Sequence, residues 1–420
     1  MQRLKTISRR GFSNGVAGAL LSGAASSVGS SGIAWGQKPD EAGPITQQAA
    51  TTGPRDGIHE TRAVIHETRV ISQSPEHYCG WPTLTRRSNG QLLVVWSGGR
   101  QQHVCPFGRV DMMRSDDDGD HWTWPRTLLD GPIDDRDAGM LETAKGTLLV
   151  TTFTSLAYVD YELKKALGNR GSEQAWPEAK LQKWLAAHER LTSEQRQNEL
   201  GQWMIRSTDG GITWSQRYDS IVNSPHGPIQ LADGRLLYAG VKLWDESREV
   251  GVCQSQDDGQ TWQWLAAIPT RPGDTSANYH ELHAVQATDG RIIVHIRNHN
   301  TANNRETLQS ESSDGGKSWT VPHSIDVWGL PSFLLRLRDG RLLMSYGYRR
   351  RPFGVQARTS EDSGTTWSQP LSVAADGTSG DLGYPSTVEL ADGRLLTVWY
   401  ERMKESPKAV LRQAKWSIES

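Results

Sequence analysis

Along most of this chain the hydrophobic residues come in short runs broken by Gly, Asp, Asn and Ser. Short apolar runs bounded by turn residues predict β-strands. Six of the breaks repeat one pattern, a tight turn followed by a Leu/Ile pair. They are Asn89-Gly90-Gln91-Leu92-Leu93, Lys145-Gly146-Thr147-Leu148-Leu149, Asp233-Gly234-Arg235-Leu236-Leu237, Asp289-Gly290-Arg291-Ile292-Ile293, Asp339-Gly340-Arg341-Leu342-Leu343 and Asp392-Gly393-Arg394-Leu395-Leu396. Asp-Gly and Asn-Gly between β-rich runs are hairpin signals, because glycine accepts the positive φ of the tight turn. The pattern predicts six hairpins.

A second repeat lies between them. Ser-x-Asp-x-Gly-x-(Thr/Ser/His)-Trp occurs five times, at residues 115–122, 207–214, 255–262, 312–319 and 360–367. Each is a turn with a mechanism: the carboxylate accepts backbone N–H groups of its own turn, Gly takes φ > 0 and Trp anchors the turn on apolar neighbours. A unit therefore reads strand 1, Asp-Gly turn, strand 2, long loop, strand 3, box turn, strand 4. The sixth unit has no box because the chain ends after its third strand, and residues 63–72 are left over to supply its fourth. Six hairpins, five boxes and one spare strand predict an all-β, six-bladed β-propeller. The boxes resemble the Asp-box of sialidase-type propellers, and the resemblance covers nearly everything after residue 60.

The turn glycines 90, 146, 234, 290, 340 and 393 are 56, 88, 56, 50 and 53 residues apart. The long interval marks an insertion in blade 2, at about residues 155–200, between strands 2 and 3. Its Ala, Leu, Lys, Glu and Gln suit helix, and Thr192-Ser193-Glu194-Gln195 reads as a capping box. Asp-Gly turns and boxes share one face of the propeller, so the boxes are structural. Chemistry is expected on the opposite face, where strands 1 begin and strands 2 end.

Composition narrows the field. Net charge is −2 and no run of basic residues suggests nucleic acid, so no polyanion-binding surface is implied. No apolar run is long enough to span a membrane. Ser8-Arg9-Arg10-Gly11-Phe12, followed by a small-residue apolar stretch, resembles a twin-arginine export signal over residues 1–36. Residues 37–60 then form a linker, the propeller occupies 61–420, and the protein is expected to be periplasmic or secreted. Cys79 and Cys105 fall in one blade, which leaves a disulfide open; Cys253 is the third cysteine.

Tyr384-Pro385-Ser386-Thr387, at the start of blade 6, is similar to the Tyr-Ser-Ser-Leu motif that carries the sialidase nucleophile. A phenol of pKa ~10 needs a base within reach. The resemblance implies Glu281, opening blade 4, as that base. Arg297, sixteen residues on, matches one member of the family's arginine triad, whose forked guanidinium suits a carboxylate. Of Arg349, Arg350 and Arg351, alternation favours Arg349 or Arg351 as another member.

The chain departs from the family at two places. Gly80-Trp81-Pro82 stands where the family has Arg-Ile-Pro, and the loop 99–109 has no Asp where the family keeps its acid. Arg100 is a candidate to restore the cation, and His103 is a candidate acid, since His exchanges a proton near neutral pH. Asp135 and Asp137 reach the same face, as do His226, His280 and His283. Trp81 is a candidate to stack on a sugar, and His226 to contact substrate. No His-Glu-x-x-His pattern is present and no cofactor is expected, although acidic loops leave Ca2+ open. These residues predict an exported, exo-acting glycosidase. It would release a terminal acidic sugar, sialic acid first, from a glycan or glycoconjugate by a retaining Tyr/Glu mechanism. The alternatives are a glycosidase or lyase acting on another acidic sugar, such as a uronic acid, with a His acid or base, and a non-catalytic glycan-binding propeller.

Overall fold

The computed structural model describes residues 61–419. The export-signal and linker segments lie outside them.

Six four-stranded antiparallel sheets follow one another along the chain. Their innermost strands are Tyr78–Arg86, Asp134–Glu142, Ile229–Gln230, Tyr279–Gln286, Ser332–Arg336 and Leu382–Glu389. The sixth sheet is completed by Arg62–Val70, which pairs antiparallel with Ala409–Glu419 from Arg62 opposite Glu419 to Val70 opposite Arg412. The spare N-terminal strand thus closes the ring, as the repeat count requires.

Local chemistry explains why the turns form. In every box the serine hydroxyl donates to the aspartate and accepts the glycine N–H, as in Ser207 to Asp209 at 2.8 Å and Gly211 to Ser207 at 2.9 Å. The aspartate also accepts the N–H of the seventh residue, Thr213 at 2.9 Å. Bonds from the Thr213 hydroxyl and N–H hold the Asp209 carboxyl down at about 2. In the Asp-Gly-Arg turns the aspartate caps its own turn, Arg235 N–H reaching Asp233 at 3.0 Å.

Between each pair of neighbouring blades lies one apolar cluster. Blades 1 and 2, for example, bury Leu93, Val95, Val110 and Met112 against Ala138, Met140, Leu148 and Val150. The second strands are apolar on both faces because each is covered by two blades, and Leu236–Val241 is buried at every position.

The insertion lies between Leu148–Ser155 and Gln202–Ser207. It contains the helices Lys164–Gly168, Glu178–Glu189 and Ser193–Asn198, the last opened by the capping box at Thr192. The insertion packs on the first 2–3 loop around a core of its own, with Val104, Cys105, Tyr158, Leu163, Leu181 and Trp184 buried. Cys79, Cys105 and Cys253 are all free and buried, so no 79–105 disulfide exists.

Candidate active site

One backbone device aims side chains at the axis. In blades 1, 2, 4 and 6 the innermost strand carries an extra residue against its neighbour, at residues 80–83, 136–139, 279–282 and 383–386. Such a bulge re-aims a side chain. Trp81, Asp137 and Tyr384 take the same bulge position with φ of 55°, 49° and 54°, and His226 in blade 3 has φ 75°. A left-handed non-glycine residue costs on the order of 1 kcal/mol. The repeated strain at the same point of several blades marks a built site.

The Tyr384 hydroxyl donates to Glu281 at 2.6 Å. One guanidinium nitrogen of Arg297, Nη1, meets both Glu281 oxygens at 2.8 and 2.9 Å and the Tyr384 oxygen at 3.1 Å. Its Nε donates to His299 Nε2 at 2.8 Å, so His299 is a neutral acceptor there. Burial works against the Glu281 charge, but the Arg297 charge, His280 and the Tyr384 hydrogen bond together outweigh it and hold the carboxyl down at about 2. Burial and the Glu281 charge push the Tyr384 phenol well above its usual range. At rest the site therefore holds a carboxylate base and a neutral phenol.

Arg349 donates from Nε to the Leu382 carbonyl at 2.9 Å, and its guanidinium lies 6.0 Å from the Tyr384 ring centre. A Cβ at Gly383 would sit 3.5 Å from Arg349 Nη2, an ordinary contact; what calls for glycine there is its φ of 128°. Arg350 and Arg351 point elsewhere, over Trp328 at 3.7 Å and Phe353 at 5.5 Å. Of the expected pair, Arg349 turns to the site and Arg351 does not.

Two further expectations are corrected. Arg100 is fully buried in a two-pronged ion pair with Asp134, at 2.7 and 2.9 Å, and holds the His103 carbonyl at 2.9 Å. It braces the loop and is not available to a substrate. Trp81 is 2 % exposed, with the Arg100 and Arg136 guanidiniums 4.9 and 4.6 Å from its ring centre and His103 edge-on at 4.9 Å. No face of it is open to a sugar.

His103 stands beside Asp381 (3.4 Å) and Tyr78 (2.9 Å), not beside Asp137. Burial lowers its pKa, and the Asp381 carboxylate offsets this only in part. Asp137 behaves oppositely. It is 3 % exposed, Oδ1 has no hydrogen-bond partner among the described residues, and burial raises its pKa to about 7 against the pull of Arg136. Asp135 is likewise raised to about 7 by burial, but it accepts the Gly131 N–H. His226 is buried against Phe333, His283 and Tyr384, with Nε2 unpaired among the described residues and its pKa lowered to about 3 by burial. His283 accepts the Leu334 N–H at 2.9 Å and stacks on Phe333, a packing role. His280 packs edge-on against His299, its pKa lowered to about 4 by burial.

Arg136 was not singled out from the sequence. It is 2 % exposed, and its Nε and Nη1 have no hydrogen-bond partner among the described residues. It adds a buried cation on the Trp81 side, where the family's first arginine is missing. Among the described residues no cluster of His, Cys, Asp or Glu could hold a metal ion. No helix among them is long and apolar enough to cross a membrane.

Residues 175–397, just over half of the chain, match the model of the BNR repeat-like domain. The chain belongs to that family. No curated protein matches it. Among solved structures, a protein of unknown function from Dyadobacter fermentans aligns with a TM-score of 0.67 at 21% identity, covering 86% of this chain and 100% of that one. The NanB sialidase from Streptococcus pneumoniae aligns at 0.58 and 15% identity, over 83% of this chain and 70% of its own. A Hadza microbial sialidase aligns at 0.55 and 18% identity, over 80% of this chain and 65% of its own. At these identities the likeness shows the fold, a six-bladed propeller of BNR-repeat architecture related to sialidase folds.

Proposed function

We propose that this BNR-repeat propeller is an exo-acting glycoside hydrolase that releases a terminal acidic sugar by a retaining mechanism, with sialic acid the first substrate to test. The observation that carries the reading is the 2.6 Å bond from Tyr384 to Glu281, clamped by Arg297. Binding alone has no need of a carboxylate base beside a buried phenol. Tyr384 attacks the anomeric carbon as Glu281 takes its proton. An uncharged nucleophile avoids the repulsion that a carboxylate would meet at a carboxylated centre. Arg297 and Arg349 hold the sugar carboxylate, with Arg136 as a third cation across the site. The substrate carboxylate then competes with Glu281 for Arg297. Partly released, Glu281 becomes the stronger base that a high-pKa phenol requires. Asp137, protonated up to about pH 7, gives the proton to the leaving oxygen, or His103 does so at a pH low enough for its ring to be protonated.

The test is hydrolysis of an aryl sialoside by wild type and Tyr384→Phe. Wild type is expected to release the aryl group, and the variant to lose turnover by roughly three orders of magnitude with an unchanged circular dichroism spectrum. Equal rates would remove Tyr384 as nucleophile.

Two observations favour a second reading. His103 is neutral at pH 7, and Trp81 stands in place of an arginine. A neutral imidazole beside a carboxylate clamp suits abstraction of the proton α to a uronic acid carboxylate, with elimination of the 4-substituent. Ultraviolet absorbance from a conjugated unsaturated uronate, without aryl sialoside hydrolysis, would favour it.

A further inference from the structure

The environment of His103 fixes more than its position. Three acceptors and donors meet there: Tyr78 Oη, Asp381 Oδ1 and His103 Nδ1. The Tyr78 hydroxyl donates to Asp381 at 2.8 Å, and Tyr78 Oη lies 2.9 Å from His103 Nδ1. Tyr400 also donates to the same Asp381 oxygen at 3.4 Å. A phenol has one proton. Asp381 is held ionised: burial opposes its charge, but the bonds from His103 and Tyr78 keep its pKa low. Tyr78 stays a neutral phenol, since burial and the Asp381 charge both raise its pKa. If the Tyr78 proton pointed at His103, its oxygen lone pairs would face a carboxylate. The proton therefore goes to Asp381, and the Tyr78 oxygen can only accept. Nδ1 of His103 must then be the donor.

We propose that Tyr78 and Asp381 are positioning residues that lock His103 in the Nδ1–H tautomer, so that Nε2 is the atom that exchanges protons in the site. Nε2 makes no hydrogen bond among the described residues, and the side chain is 36% exposed. The remaining neighbours suit this arrangement. Trp81 packs edge-on against the ring, and the charges of Arg136 and Arg100 disfavour a standing imidazolium. Arg100 also pins the loop through the His103 carbonyl. In its neutral form His103 thus offers a directed lone pair; protonated, it offers a directed N–H. Asp381 lies three residues before Tyr384, so one short segment would supply both the nucleophile and the group that orients the proton carrier. A catalytic role of His103 rests on the proposed glycosidase reading. The tautomer lock does not.

The experiment is nitrogen NMR of the chain labelled on its 12 histidines, with the His103 signals assigned by their loss in His103→Gln. Wild type is expected to show His103 as Nδ1–H throughout the neutral range. Tyr78→Phe and Asp381→Asn should each move it toward the Nε2–H form. Asp381→Asn should also lower the His103 pKa by about half a unit or more, because a stabilising negative charge is gone. If aryl sialoside hydrolysis is observed, the alkaline limb of kcat/KM should move to lower pH by the same amount in Asp381→Asn. A wild-type Nε2–H tautomer, or an unchanged tautomer in both variants, overturns the proposal. Tyr78→Phe preserves the ring and its packing, so it decides the matter if Asp381→Asn does not fold. The NMR readings need no substrate, so they stand apart from the Tyr384→Phe test of the reaction itself.

Discussion

Asp137 is a site residue whose chemistry departs far from its ordinary behaviour, and the departure has a measurable cost. An unfolded aspartate ionises near pH ~3.9; here burial raises the value to about 7. Between those values the folded chain keeps a proton that the unfolded chain releases. Stability is therefore full below about pH 4, is lost as pH rises through this window, and levels off above about pH 7. Asp137→Asn should be neutral or slightly destabilising at about pH 4. At about pH 8 it should be more stable than wild type by a few kcal/mol, because each pH unit between the unfolded and folded values is worth about 1.4 kcal/mol. Urea melts across that range measure it, and a difference that does not change with pH would mean that Asp137 ionises normally. Its claim to be the acid would fall with it. Tyr384, Glu281 and Arg297 were legible as a group because the resemblance to the sialidase motifs implies each of them at the start or end of a strand that an Asp-Gly turn already places. Arg136 and Asp381 were not. The three-against-two bulge at residues 136–139 breaks the alternation by which a strand residue is assigned a face. Asp381 sits just outside its strand, where alternation says nothing.

At the scale of elements, the turns were legible because each completes its hydrogen bonds within a few residues. The insertion was legible as helix, but what it packs against depends on contacts distant in sequence. Trp184 is fully buried and donates to Gln101 at 2.7 Å, and Lys180 donates to Gln102 at 2.9 Å. Phe107 packs edge-on against Trp184. The helices thus brace both sides of the loop that carries His103. Removing a buried Trp costs ~3–5 kcal/mol where it is packed, and this core is separate from the clusters between blades. Trp184→Ala is therefore expected to loosen the loop without unfolding the propeller. Hydrogen exchange of amides 100–107 should accelerate by more than about tenfold, while the inner strands of blades 4 and 5 keep their protection. Uniform acceleration across all blades would show that the insertion and the ring unfold as one unit.

At the scale of the molecule, six apolar interfaces are held in a ring by one pairing of distant chain segments. The repeat count predicted this closure because five boxes against six hairpins leave one strand missing and one spare. Ala409–Glu419 is buried along most of its length and meets Arg62–Val70 on its outer side. Ala63 and Ile418 pack on the cluster of Leu395, Trp399 and Trp416 in the same blade. Without Arg62–Val70, the N–H and C=O groups of Ala409–Glu419 would form an open edge, which templates pairing with another chain. Every side chain of Arg62–Val70 is exposed or half-buried, so its contribution lies chiefly in the backbone ladder. A chain beginning at Pro75 should still fold its five inner blades but lose the lock on the sixth. We expect its Tm to fall by at least ~5 °C, since 1 kcal/mol corresponds to only a few degrees or less in a chain of this size. Light scattering should also rise with protein concentration. Adding the 61–74 peptide in trans should recover part of both changes, because the ladder needs the strand and not the covalent link. An unchanged Tm in the shortened chain would mean that the ring is closed by its apolar interfaces alone.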